Sequence, residues 1–62
     1  MTWEFYEVWS VDDDGYEELV DTTKDVNEAR RLAKNALTEG FPSAIIYRET
    51  EDGDLEEFEI ID

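Results

Sequence analysis

The chain contains no cysteine and no histidine, a single proline, three glycines and only five basic residues. Without cysteine there is no disulfide staple, and without cysteine or histidine there is no conventional zinc site. The fold must therefore be held by its apolar and aromatic residues or by a partner chain. The same absences restrict catalysis. Acid–base or nucleophilic chemistry would rest on carboxylates, tyrosine, lysine or a serine with no imidazole beside it. No segment approaches the roughly 18 apolar residues of a membrane span. The amino terminus, Met-Thr-Trp-Glu-Phe-Tyr-Glu, also lacks a basic region followed by an apolar stretch. The expectation is a soluble, cytoplasmic protein with no cofactor and no metal.

What is abundant is negative charge: 19 acidic residues against five basic ones give -14 over 62 residues. Such a charge repels nucleic acid and anionic membranes and favours basic partners. High charge with low hydrophobicity can also prevent collapse, but the aromatic and β-branched residues here are patterned as elements rather than scattered. The expectation is one domain spanning residues 1–62, small enough that only about 60% of the unfolded surface is buried.

The stretch DVNEARRLAKNALTE, Asp25 to Glu39, is the only long helical pattern. Val26, Ala29, Ala33, Ala36 and Leu37 recur at helical spacing with Leu32 on the flank, which makes an amphipathic helix with one face to bury. Asp25 with Glu28 three residues later reads as a capping-box-like start. Gly40 supplies the left-handed residue after the helix, with Phe41 placed to fold back on Ala36 and Leu37.

Two acidic hairpins flank the helix. Trp3 to Val11 reads as a strand with apolar side chains on both parities: Trp3, Phe5, Trp9 and Val11 on one, Tyr6 and Val8 on the other. Asp14-Gly15 signals a turn into a more polar strand, Tyr16 to Thr22. After Pro42 blocks helical continuation, Ser43 to Thr50 reads as a buried strand. Asp52-Gly53 turns into Leu55 to Ile61, where Phe58 and Ile60 alternate with Glu57 and Glu59 in the manner of an edge. The order is ββαββ. A right-handed crossover over the first strand gives an α+β fold, a four-stranded antiparallel sheet of order 2-1-3-4 with one helix on one face. The two Asp-Gly turns then lie at opposite ends of the sheet. They align only with a one-residue insertion, so shared hairpin chemistry explains their likeness better than duplication. One helix covers one face, and the other is expected to keep aromatics such as Trp3, Trp9 or Tyr6, as a surface under acidic side chains or as a dimer or partner surface, with the monomer favoured over the homodimer.

No stretch carries a catalytic signature, and a thin sheet has little volume for a cleft between paired carboxylates, so no catalytic residue is assigned. Counting Gly15 as the sixth position of a calcium loop puts Ser10 first and Asp21 twelfth, in place of a bidentate glutamate. Gly15, Gly40 and Gly53 are too scattered for a phosphate loop. Arg30, Arg31 and Lys34, with Lys24, form a solvated helix face with local pairs such as Arg30 or Arg31 with Glu28.

The distribution of charge is informative: residues 1–23 sum to -8, residues 24–39 to +1 and residues 40–62 to -7. The candidate partner-binding residues are Asp12, Asp13, Asp14, Glu17 and Glu18 on the first hairpin and Glu51, Asp52, Asp54, Glu56, Glu57 and Glu59 on the second. Residues i and i+2 of a strand lie about 6.8 Å apart on one face. Glu57 with Glu59, or Glu49 with Glu51, would thus form carboxylate rows near every second phosphate of a DNA strand. Two alternatives accompany this reading, an acidic homodimeric adaptor or regulator and a halophile housekeeping domain whose acidity serves solubility.

Small size, absence of cysteine and histidine, extreme acidity on hairpins around one helix and the stretch SAIIYRETEDGD together resemble small phage-encoded anti-CRISPR proteins of the acidic, DNA-mimicking kind. The resemblance implies a stoichiometric inhibitor in the host cytoplasm. Its partner would be a basic nucleic-acid-binding complex, a CRISPR effector and by preference a type I surveillance complex, whose access to DNA it blocks. The resemblance is one of type, so it assigns no role to any individual residue.

Overall fold

The computed structural model describes residues 5–62. Its elements are β1 (Phe5–Val11), β2 (Glu17–Thr23), α1 (Val26–Thr38), β3 (Ser43–Glu49) and β4 (Leu55–Ile61). The sheet has the order β2-β1-β3-β4 with every neighbouring pair antiparallel. This is the expected ββαββ topology, with the two most apolar strands in the centre. Trp3 lies outside the described residues.

Both ends of α1 are closed by the residues that the sequence marks. Asp25 stays extended, and its Oδ1 accepts the Asn27 N–H at 2.9 Å. Glu28 does not complete the reciprocal half of a capping box. The Asp25 N–H donates instead to Thr23 Oγ1, and the Glu28 carboxylate is taken by Arg31. At the other end the Phe41 N–H donates to the Ala36 carbonyl and the Gly40 N–H to the Leu37 carbonyl, a complete Schellman arrangement. Gly40 makes it possible with φ +112°.

The helix lays Ala29, Ala33 and Ala36 on Tyr6, Val8, Ala44 and Ile46, and all seven are buried. Three alanines at the contact let the helix axis approach the sheet closely, so the core is one thin layer. Val26, Leu32, Phe41 and Ile61 close its margins. Burying a side chain the size of Val8 or Ile46 is worth about 1.5–3 kcal/mol, which in so small a core is a large share of the total.

The two hairpins correspond position by position without an insertion. Phe5 and Ser43, Val11 and Glu49, Glu17 and Leu55, Thr23 and Ile61 are each 38 positions apart. The turns share one geometry. Gly15 N–H donates to the Asp12 carbonyl and Gly53 N–H to the Thr50 carbonyl, both at 3.0 Å, with φ +86° and +85° at the two glycines. The Asp12 N–H donates to the Tyr16 carbonyl and the Thr50 N–H to the Asp54 carbonyl, so each hairpin closes on a three-residue loop whose third residue is the glycine in the left-handed position. Each outer strand also carries one extra residue: Val20 is unpaired opposite Val8/Trp9, and Phe58 opposite Ile46/Tyr47. Val8 pairs directly with Ile46, its own equivalent, so a pseudo-twofold axis normal to the sheet passes through that pair.

The bulges correct the expected alternation of β4. Glu57 pairs with Tyr47 and Glu59 with Ile46, which point to opposite faces. Glu57 and Glu59 therefore do not form a row. Glu49 ends β3 while Glu51 already belongs to the turn, so that row is absent as well. Phe58, at the bulge, turns to the helix side and meets Tyr6 edge to face at 5.3 Å. Tyr6 is thus buried beneath the helix, whereas Trp9 lies on the open face as expected.

Candidate functional site

The candidate carboxylates fall into five settings: the first turn, the β2 edge, the second turn, pairs with arginines, and the face of the sheet opposite the helix. Asp12 is half-buried and builds the first turn, its Oδ1 accepting the N–H groups of Asp14 and Tyr16 at 2.9 Å. Asp13 and Asp14 project freely from that turn. Beyond the turn, Glu18 is exposed on the helix side of the β2 edge, and its carbonyl accepts the Ser10 hydroxyl. Glu51, Asp52 and Asp54 are exposed on the second turn.

Two of the candidates are engaged by arginines. The Arg30 Nε donates to Glu59 at 3.1 Å, tying α1 to β4, and Arg48 pairs with Glu56 across β3 and β4 at 2.8 Å. Arg30 thus reaches β4 rather than Glu28, which is held by Arg31. Glu17 and Glu57 belong to the last setting, the face of the sheet opposite the helix. Glu17 accepts the Tyr47 hydroxyl at 2.7 Å across β1, and Glu57 is the register partner of Tyr47.

The fold separates the two clusters and gives them unequal surroundings. β1 and α1 both end at the first turn, where Asp12 and Asp13 line a shallow hollow of about 240 Å³ with Glu39, Gly40, Phe41 and Pro42. Glu39 adds a carboxylate, and the last turn of α1 contains no basic residue. The negative end of the helix dipole therefore points into a group of acids with no cation from the helix end to balance it. The second turn shares its end of the sheet with the helix amino terminus. There Lys24 sits 5.8 Å above the Phe5 ring, and Arg48 lies 6.0 Å from the Phe58 ring centre. Of the two clusters, the first is the more negative pole. Among the described residues no acidic side chains converge into a group able to hold a metal ion, and no helix is long and apolar enough to cross a membrane.

The open face was only partly foreseen. Trp9 Nε1 donates to Glu7 Oε1 at 3.1 Å, and the Trp9 and Tyr47 rings meet edge to face at 6.4 Å. The Tyr47 hydroxyl is pushed up to about 12. Its hydrogen bond to Glu17 is the main cause, followed by burial and by the charges of Glu17 and Glu57. Tyr47, Leu19, Ile45, Leu55 and Ile60 escaped the sequence reading of this surface, although the turn signal already contained part of the answer. Counting back equally from Asp12 and forward from Tyr16 puts Leu19 opposite Trp9.

In comparisons with known proteins, no family model, no curated protein and no solved structure matched the chain.

Proposed function

We propose that this protein is a non-catalytic, acidic inhibitor that binds a basic nucleic-acid-binding protein and blocks its access to DNA by charge mimicry. The observation that carries the reading is the polarity of the charge. The helix segment is near neutral, the hairpins hold essentially all of the -14, and the first turn gathers its acids at the negative end of the helix. The mimicry is one of charge density rather than of phosphate spacing, because the bulge at Phe58 breaks the carboxylate row that a regular strand would present. Steering by such a charge accelerates encounter with a cationic groove and disfavours anionic competitors.

The anti-CRISPR resemblance makes a type I surveillance complex the first partner to try. With a labelled target duplex and the purified complex, the protein should displace the duplex in a stoichiometric, salt-sensitive manner. Undiminished DNA binding at a large excess of the protein would remove that partner.

A second reading has one observation in its favour. The apolar side chains of the open sheet face are the surface an acidic homodimeric adaptor would use, against the repulsion of two chains that each carry -14, and light scattering over a concentration series would reveal such a dimer. The halophile reading fits less well, since it places acid on every exposed surface and the helix segment sums to +1.

A further inference from the structure

On the face away from α1, the register sets Leu19, Trp9, Ile45 and Ile60 side by side, one from each strand in spatial order. This apolar row crosses the whole sheet. Its two ends lie on the edge strands, where Leu19 is 48% and Ile60 53% exposed. Beside it a shallow depression of about 380 Å³ is lined by Trp9, Glu17, Tyr47 and Leu55. Trp9 and Tyr47 are equivalent positions of the two hairpins, as are Glu17 and Leu55, so the depression straddles the pseudo-twofold axis. One of its sides is acidic and the other apolar.

The polar side chains that line this depression are acidic, and the cation on the same face, Lys24, is placed over the Phe5 ring at the far end, next to the hollow that Phe5 shares with Glu7. Trp9 and Tyr47 use their N–H and O–H on Glu7 and Glu17, and a carboxylate that accepts one such bond retains capacity for a further donor. Glu57 stands beside Tyr47. Arg30, Arg31 and Arg48 are directed elsewhere, to Glu59, Glu28 and Glu56. Aromatic rings next to carboxylates form a receptor for a guanidinium, which is planar, stacks on rings and bonds carboxylates in bidentate fashion; a lysine ammonium matches only the charge.

We infer that the open sheet face receives an arginine-bearing segment of a cationic protein. A guanidinium lies against Glu17 and Glu7 beside Trp9 and Tyr47, and neighbouring apolar side chains of the partner cover the row from Leu19 to Ile60. The inference rests on the reading of this protein as a binder of cationic partners, and it names the surface and the chemistry that give such binding its specificity. A second copy of the chain is a poor occupant. It would bring Glu7, Glu17 and Glu57 against their own counterparts between molecules that each carry -14.

The test titrates isotope-labelled protein with three synthetic peptides of equal length and charge, alternating Arg-Leu, Lys-Leu and Arg-Gly. The Arg-Leu peptide should bind most tightly and shift the Trp9 indole N–H with the Leu19, Ile45 and Ile60 signals. The double variant Leu19→Ser, Ile60→Ser alters exposed edge positions and keeps the fold, checked by its circular dichroism; it should weaken that peptide about tenfold or more. Equal binding of all three peptides, or shifts confined to the turns, would overturn the inference while leaving a cationic partner in place. Failure of every peptide to bind would overturn both. Concentration-dependent broadening of the same signals in the protein alone would assign the face to a second copy and overturn it too.

Discussion

Tyr47 shows how one side chain records the chemistry of its surroundings. Its hydroxyl donates to Glu17 and can do so only while protonated, so the folded chain holds that proton beyond the ordinary tyrosine value near 10, up to about 12. Between those two values the unfolded chain has lost the proton and the folded one has kept it. The stabilisation is therefore complete below pH 10 and disappears as the pH rises towards 12. The difference in tyrosinate absorbance between the protein and its Tyr47→Phe variant should place the Tyr47 transition close to 12, and Glu17→Gln should return it towards 10. A Tyr47 transition near 10 in folded protein would contradict the bond. At the core, Ile46→Ala should cost about 2–4 kcal/mol in urea unfolding, because Ile46 is fully buried and the thin layer around it has little material with which to collapse.

The helix and the turns are the elements whose sequence signals are most local, and they are also the most legible. Asp25 and Glu39 bound α1 as expected, Gly40 and Phe41 close it, and β4 has the expected span. Gly40→Ala should cost about 1 kcal/mol through the positive φ alone, since a Cβ there meets nothing within 4 Å. Asp25→Ala should lose a similar amount, about 1 kcal/mol, by freeing the Asn27 N–H. Thermal unfolding of both variants checks the two caps. What the sequence did not disclose was the pair of bulges. An unpaired residue such as Val20 or Phe58 has no compositional mark, yet it reverses the face of every side chain that follows. For that reason the Glu57–Glu59 row, the Arg30–Glu59 tie and the pairing of Ile45 with Ile60 were out of reach of a period-two count. The candidate acids of the turns needed no register, and they stand where the Asp-Gly signals put them.

For the whole molecule, most of the acids among the described residues face solvent with few cations to offset them, so self-repulsion should lower stability at low ionic strength. The midpoint of urea unfolding should rise as salt is added up to about 0.15 M, where the Debye length falls to about 8 Å. The protein should nonetheless remain folded at low salt; a chain that folds only in molar salt would favour a halophilic origin for its acidity. The proposed function is tested most directly by immobilising the protein and its Asp13→Lys, Asp14→Lys variant, passing a cell lysate over both, and eluting with duplex DNA. The wild-type surface should retain a basic nucleic-acid-binding protein that DNA releases, and the variant should retain much less of it. Retention that neither DNA nor charge reversal disturbs, or no specific retention at all, would contradict the proposal that the acidic hairpins occupy a nucleic-acid site.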